Sequence, residues 1–195
     1  SHETGPIPSG LTAMKIDAAQ AFGTGHHETT TGCLEAINMA LKRTRPQRML
    51  DVGTGTGVLA IALAKRLKTP VIASDIDPIS VKTTAENAAQ NGVGKYIIPI
   101  EATGVNHLTI NRAAPYDLVV ANILAGPLTA LAPAMGRIVQ PGAAIILSGI
   151  LQRQAPSAIP AHSRQGMGLA PKLPPKAWTT LPLETGCESR ANKKP

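Results

Sequence analysis

Three glycines at alternate positions, Gly53, Gly55 and Gly57, follow an apolar run ending in Asp51-Val52, and an apolar helical pattern starts directly behind them. Residues without a Cβ reach left-handed backbone angles and let a ligand come close to the main chain. A strand, a glycine turn and a helix N-terminus together form a nucleotide-binding turn, with Gly53 and Gly55 as the backbone positions expected to contact the ligand. Val71-Ile72-Ala73-Ser74 then ends in Asp75, about 20 residues beyond the first glycine, where a carboxylate accepts hydrogen bonds from both ribose hydroxyls. The nucleoside stays open at this point, because Gly55-Thr56-Gly57-Val58-Leu59-Ala60 also fits the G-x-G-x-x-G/A pattern of NAD enzymes. Asp51 tilts the choice toward S-adenosylmethionine, whose methionine end is cationic, and away from an anionic pyrophosphate. A carboxylate there can equally cap local backbone N–H groups.

A later apolar run, Asp117 to Ala121, delivers Asn122 and then Ile123-Leu124-Ala125-Gly126-Pro127-Leu128. In an open α/β sheet, ligands lie at the carboxyl ends of strands near the reversal of strand order, so Asn122 should converge with the glycine loop and Asp75. Its side chain both donates and accepts, and can hold a primary amine with the lone pair aimed at a methyl group on sulfur. The plainer alternative is a helix N-cap. Upstream, Ala21 to Thr30 reads as a polar glycine loop, and Thr29 or Thr30 can cap a helix reaching about Arg43. Phe22 and the pair His26-His27 share that loop. A histidine near the amine could take its proton, although surface histidines without such a role are common.

These residues need a scaffold, and the alternation of patterns supplies one. Strands are expected at 49–53, 71–75, 96–100, 117–121 and 144–148, with helices at 58–68, 78–91 and 127–139 between them. Strand and helix in turn imply a doubly wound α/β fold, a mostly parallel Rossmann-like sheet with helices on both faces. Residues 1–17 read as a lead-in segment with Met14 to Asp17 as a short strand. Residues 152–167 have helical composition interrupted by Pro156 and Pro160. Trp178 to Leu181 is a credible final strand, and residues 185–195 are expected to form a disordered tail. One domain over 18–184 accounts for the rest.

Composition narrows the function classes. The 195 residues are 43% hydrophobic but only 2% aromatic, so the core must be aliphatic, and a base-stacking surface for direct nucleic-acid binding is not expected. Cys33 and Cys187 are far apart and form no Cys/His cluster, which indicates no metal site. No run approaches the roughly 18 apolar residues of a membrane span, so a soluble cytoplasmic protein without membrane contact is expected. The net charge of +7 is uneven: residues 1–150 carry 12 basic against 10 acidic side chains, and residues 151–195 carry 7 against 2. A basic end of this kind is usually a solvated one, though it can attract acidic partners.

The segments AFGTGHHETT, LDVGTGTGVLAIA, SDIDP, ENAAQNG, DLVVANILAGPL, PGAAIILSGIL and WTTL follow one another as they do in the bacterial ribosomal protein L11 methyltransferases and the related lysine methyltransferases of an electron-transfer flavoprotein subunit. The chain resembles that family over about residues 14–184. The resemblance implies a seven-stranded class I S-adenosylmethionine-dependent fold and a protein N-methyltransferase. Its partner would be a large-subunit ribosomal protein, methylated on lysine side chains and the α-amine. It further implies cofactor contacts at Thr30, Gly53, Asp75 and Asn122, with Asn122 also orienting the incoming amine as the catalytic residue. Two departures stand out. The family's usual amino-terminal recognition domain has no counterpart in these residues, so the chain is expected to bind cofactor but to methylate the ribosomal protein poorly. Pro182 falls in the last strand, which lies inside the sheet in this fold, so an irregular or shortened pairing is expected there.

Overall fold

Short apolar runs, each closed by a glycine, a proline or a polar residue, assemble into one mixed sheet in the computed structural model, which describes residues 12–17, 27–170 and 178–186. The strands are β1 (Met49–Val52), β2 (Val71–Asp75), β3 (Ile97–Glu101), β4 (Tyr116–Asn122), β5 (Val139–Leu151), β6 (Met167–Leu169) and β7 (Trp178–Thr185). The helices are α1 (His27–Arg43), α2 (Val58–Leu67), α3 (Pro78–Gln90), α4 (Leu108–Ala113), α5 (Ala125–Ile138) and α6 (Ala155–Ser163). The sheet order is β3-β2-β1-β4-β5-β7-β6. Strands β1 to β5 pair in parallel, and β7 runs antiparallel between β5 and β6. The order reverses between β1 and β4, which places the ends of β1, β2 and β4 side by side as the doubly wound fold requires.

The central strands β1, β2 and β4 are buried on both faces, and the two faces of the sheet feed two cores. Leu50, Val52, Val119, Ala121, Ile145 and Leu147 pack with Leu128 and Met135 of α5 and Ala158 of α6. Their alternates Met49, Leu118, Val120 and Ile146 pack with Cys33 and Ile37 of α1 and Leu59, Ile61 and Leu63 of α2. Leu50, Leu63, Leu118 and Leu128 are almost wholly buried, each contributing about 1.5–3 kcal/mol of apolar transfer. The core is aliphatic, as the composition requires. Tyr116 is buried among it because its hydroxyl donates to Ile110 O at 2.9 Å. Asp77 opens α3: its carboxylate accepts from Ile79 N (3.0 Å) and Ser80 N (3.2 Å), and Pro78 follows in the first turn.

Several boundaries differ from those expected. Strand β5 is far longer than 144–148, because Pro141-Gly142 is absorbed as an irregularity in the pairing with β4 instead of ending an approach loop. Residues 12–17 form no strand; their backbone bonds go to side-chain amides of α3. Helix α1 already runs from His27, so Thr29 and Thr30 lie inside its first turn and do not cap it. Helix α6 accommodates Pro156 in its first turn and Pro160 on an exposed face, where water can satisfy the freed carbonyl.

Pro182 is tolerated for a positional reason. Its carbonyl accepts from Ala170 N at 2.9 Å, on the β6 side of β7 and just past the end of β6. The ring nitrogen faces that same side, so no bond to β5 is lost. The pairing with β5 is irregular instead between Leu147 and Ile150, around Gly149, and it is not shortened. Strand β7 also reaches Thr185, one residue into the expected tail, because the Thr185 hydroxyl accepts from Ala143 N at 2.9 Å and donates to Gln140 O. Residues 187–195, with Cys187, and Phe22 and His26 lie outside the described residues.

Candidate active site

The glycine loop is held open by bonds running beneath it. Gly53 N and Thr54 N both donate to Ser74 O, at 2.8 and 2.9 Å, and Gly57 N closes the turn on Thr54 O at 2.9 Å. Gly53 adopts φ 70°, and a Cβ there would overlap Ile123 Cγ2. Only glycine therefore fits between the loop and the end of β4. Asp75 fixes the far side of the loop: Oδ2 accepts from Gly55 N (2.9 Å) and Oδ1 from Asp77 N (3.1 Å). Each oxygen keeps further lone-pair capacity for a donor in the cavity.

Asp51 takes the local role. It is buried beneath the loop, where Oδ2 accepts from Thr54 Oγ1 (2.8 Å) and from Ala60 N (3.1 Å), the latter an orphan donor in the first turn of α2. Its other oxygen, Oδ1, is buried with no partner among the described residues. Burial pushes the Asp51 carboxyl up to about 6; the bonds from Thr54 and Ala60 pull it down, and the nearby Asp75 charge adds to the rise.

From the opposite side, α1 brings Thr29 and Thr30 to the end of β4. Asn122 Nδ2 donates to Thr29 Oγ1 at 3.3 Å, which orients the amide and leaves Oδ1 to act as an acceptor in a residue that lines the cavity. Asn122 does not cap α5. The cap position belongs to Leu124, which provides no side-chain cap bond. Thr29 is buried and held from behind: Ser148 Oγ lies 3.5 Å from Thr29 O and 3.2 Å from Thr180 Oγ1 of β7. Gly149, at φ 80°, passes so close to Ile123 that a Cβ would overlap the Ile123 carbonyl. The turn after Asn122 is thus wedged between Gly53 and Gly149.

These elements enclose one cavity of about 640 Å³, and Thr30, Gly53, Gly55, Asp75 and Asn122 all line it. Its walls are otherwise mainly apolar, with Leu131 and Ala102 inside and Ile76 and Leu124 at the lip, 66% and 70% exposed. Ile76, Ile123 and Leu131 escape sequence reasoning because aliphatic side chains give no motif signal. From the sequence Thr29 reads only as a helix cap, since its bond to Asn122 spans 93 residues. Among the described residues no cluster of His, Cys, Asp and Glu could hold a metal ion, and no helix is long and apolar enough to cross a membrane.

Comparison with known proteins places this arrangement. A family model described as Ribosomal protein L11 methyltransferase (PrmA) matches residues 1–185. The ribosomal protein L11 methyltransferase of Brucella suis (strain ATCC 23445 / NCTC 10510) is 46% identical over 184 residues, covering 94% of this chain and 65% of the relative. The corresponding Bradyrhizobium diazoefficiens protein is 49% identical over 183 residues, covering 94% and 62%. The chain thus spans somewhat less than two thirds of the length of these relatives. Among solved structures, a ribosomal protein L11 methylase from Lactobacillus delbrueckii subsp. bulgaricus superposes with TM-score 0.83 at 30% identity, covering 94% of this chain and 91% of that one. A Thermus thermophilus 16S rRNA N2 G1207 methyltransferase in complex with AdoMet and guanosine shares the fold, at TM-score 0.67 and 20% identity. The chain belongs to the ribosomal protein L11 methyltransferase family.

Proposed function

We propose that this chain binds S-adenosylmethionine in the cavity between β1, β2 and β4 and transfers its methyl group to amino groups of a large-subunit ribosomal protein, L11, in the cytoplasm. Lysine side chains and the α-amine are the acceptors. The observation that carries the reading is Asn122: its amide is pinned by Thr29 on one side, so its carbonyl oxygen is presented to the cavity opposite the glycine loop.

The residues present fit the cofactor. Asp75 keeps acceptor capacity for two ribose hydroxyls, and Gly53 and Gly55 give the main chain a surface that a Cβ would close. The Asp75 carboxylate in the lining, with Asp51 buried beneath the loop behind it, suits a cationic ligand and opposes a pyrophosphate. When bound, S-adenosylmethionine supplies a methyl group on a positively charged sulfur that departs as a neutral thioether.

The chain's own part is then alignment and desolvation. Asn122 Oδ1 accepts an N–H of the incoming amine and directs the nitrogen lone pair along the line of displacement. Asn122 does not titrate, so it orients the amine without deprotonating it, and the neutral amine is the reactive form. Ile76 and Leu124 at the lip exclude water from the reacting pair. An aliphatic lip made by Ile76 and Leu124 suits the flexible stem of a lysine better than a planar base or amide, which calls for aromatic stacking.

Calorimetry with S-adenosylmethionine, S-adenosylhomocysteine and NAD tests the cofactor, with binding of the first two expected and binding of NAD alone overturning the assignment. Mass spectrometry of L11 after incubation tests the acceptor: whole methyl increments on lysines and the α-amine are expected. Methylation of a nucleic acid with none on L11 would replace the substrate reading.

A further inference from the structure

The side chain of Asn87, fully buried on α3, holds two separate pieces of backbone. Its Oδ1 accepts from Asp17 N at 3.0 Å, while Nδ2 donates to Asp17 O at 3.0 Å and to Thr56 O of the glycine loop at 2.9 Å. One turn later Asn91 repeats part of the pattern: Oδ1 accepts from Lys15 N (3.1 Å), and Nδ2 donates to Lys15 O (2.7 Å) and Asn87 O (2.8 Å). Residues 14–17 are thereby strapped to α3 by a two-rung ladder of side-chain amides. The Asn91 rung is exposed; the Asn87 rung is buried and also reaches the cofactor loop.

Two features make this a coupling and not merely an attachment. Both amide hydrogens and the carbonyl oxygen of Asn87 are engaged, so no rotation of the side chain preserves all three bonds. The strap lies at the periphery of the fold: Met14 and Ile16 are partly buried against the core, and Lys65 Nζ donates to Ala13 O at 2.8 Å. A peripheral segment opens locally at lower cost than the core does. When it opens, Asn87 loses two of three partners and its hold on Thr56 O becomes one of several alternatives.

We propose that Asn87 is a positioning residue that couples the strap at residues 12–17 to the glycine loop, so that a ligand ordering the loop also closes the strap. Binding linkage is reciprocal, so a closed strap tightens the ligand by the same factor. The inference rests on the reading of the cavity as an S-adenosylmethionine site. Thr84 is the internal contrast: it holds the loop from the same helix, Oγ1 donating to Gly55 O at 3.1 Å, and has no bond to the strap.

Amide hydrogen exchange at Lys15 and Asp17, with and without saturating S-adenosylmethionine, is the test. In the wild-type protein the ligand is expected to slow Asp17 exchange about fivefold or more, the lower end of ordinary coupling between sites. Thr84→Ala is expected to keep that protection while binding ligand more weakly. Asn87→Ala is expected to abolish the protection and to weaken ligand binding on the order of tenfold. Asn91→Ala speeds basal exchange at Lys15 but leaves the ligand effect at Asp17. Ligand binding by the wild type with no change at Asp17 overturns the inference while the proposed function stands, and needs no variant to fold. No ligand binding by the wild type overturns the proposed function, and the inference with it.

Discussion

The two halves of the sheet solve the same problem by different means. In the parallel half, β1 to β3 with α2 and α3, the turn polar groups are met by side chains a short distance away in space: Asp51 under the loop, Asp75 at Gly55, Thr84 at Gly55 O and Asn87 at Thr56 O. In the half built from β5, β7 and β6, support comes from chain segments distant in sequence, with Ser148 bridging α1 to Thr180 and Arg43 meeting Glu184. The first half presents the ligand surface, and the second positions the helix that carries Thr29 and Thr30. Asn122, at the end of β4, is where they meet, one amide reaching from the first half to the second. The cavity-lining polar groups meet at this seam, and on the proposed function the chemistry is concentrated there.

The sharpest test of that division is Asn122→Ala. A residue that orients the acceptor should lose on the order of 100-fold or more in turnover when truncated. Its side-chain bond to Thr29, at 3.3 Å, is long, and α5 is not capped by it, so the melting temperature should move by little. Methyl-transfer rates and thermal melts on the same preparation decide it. Parallel losses in both would return Asn122 to a structural role and dissolve the seam.

Two glycines compare the halves directly. Gly53→Ala meets both a left-handed φ of 70° and the Ile123 side chain, so it should cost about 2 kcal/mol or more and weaken ligand binding. Gly142→Ala, in β5, meets the same kind of φ at 79° but open space, so about 1–2 kcal/mol of stability is expected with ligand affinity unchanged. Denaturant melts and calorimetry separate the outcomes. A loss of affinity in Gly142→Ala would show that strain in the far half reaches the site.

Asp51 in one half and His162 in the other are both buried, and their pH responses oppose. Asp51, raised to about 6 by burial, holds a proton in the folded state that the unfolded chain releases near pH 4. Its contribution is present in acid and is lost as pH rises through about 6. His162 on α6 is fully buried, with Nδ1 3.0 Å from Ala158 O and Nε2 without a partner among the described residues. Burial lowers its affinity for a proton, so the unfolded chain takes one up first, and stability present above about pH 6.5 is lost as pH falls. Relative to wild type, Asp51→Asn should therefore destabilise more steeply as pH drops from 6.5 to 4, and His162→Gln should shift the slope the other way. Urea midpoints across that range test the signs, and slopes of equal sign in the two variants would refute the assignment.

The same contrast explains what could be read from sequence. That Gly53, Gly55, Asp75 and Asn122 would converge on one cavity was legible because they lie at or just beyond the carboxyl ends of parallel strands, which topology brings together. The Asp77-Pro78 start of α3 was legible as local chemistry, and the sheet class followed from alternation. Less legible were features that depend on partners distant in the chain. The threonines of α1 look like a helix cap until Asn122 is seen beside Thr29. Met14 to Asp17 reads as a short strand, but the bonding partners of Lys15 N and Asp17 N are asparagine side chains that no periodicity announces. Pro182 looks disruptive until the end of β6 is placed opposite it.

The smallest effect concerns the Arg43–Glu184 pair, which ties the far end of α1 to β7. Arg43 Nη1 and Glu184 Oε1 are 2.7 Å apart, a short contact that suggests strength, but the side chains are 57% and 33% exposed. Water and salt screen such a pair, and ordering two long side chains offsets much of the attraction, so a coupling of about 0.5 kcal/mol or less is expected. A double-mutant cycle of Arg43→Ala and Glu184→Ala, read by denaturant melts, measures it, and added salt should reduce it further. The buried end of α1 behaves differently. Ser148→Ala removes the hydroxyl between the Thr29 carbonyl and Thr180 Oγ1, a buried bridge whose loss should cost about 0.5–1.5 kcal/mol. If the exposed ion pair proved the stronger of the two, α1 would be anchored at its far end, and the first turn bearing Thr29 and Thr30 would be the end free to move toward a ligand.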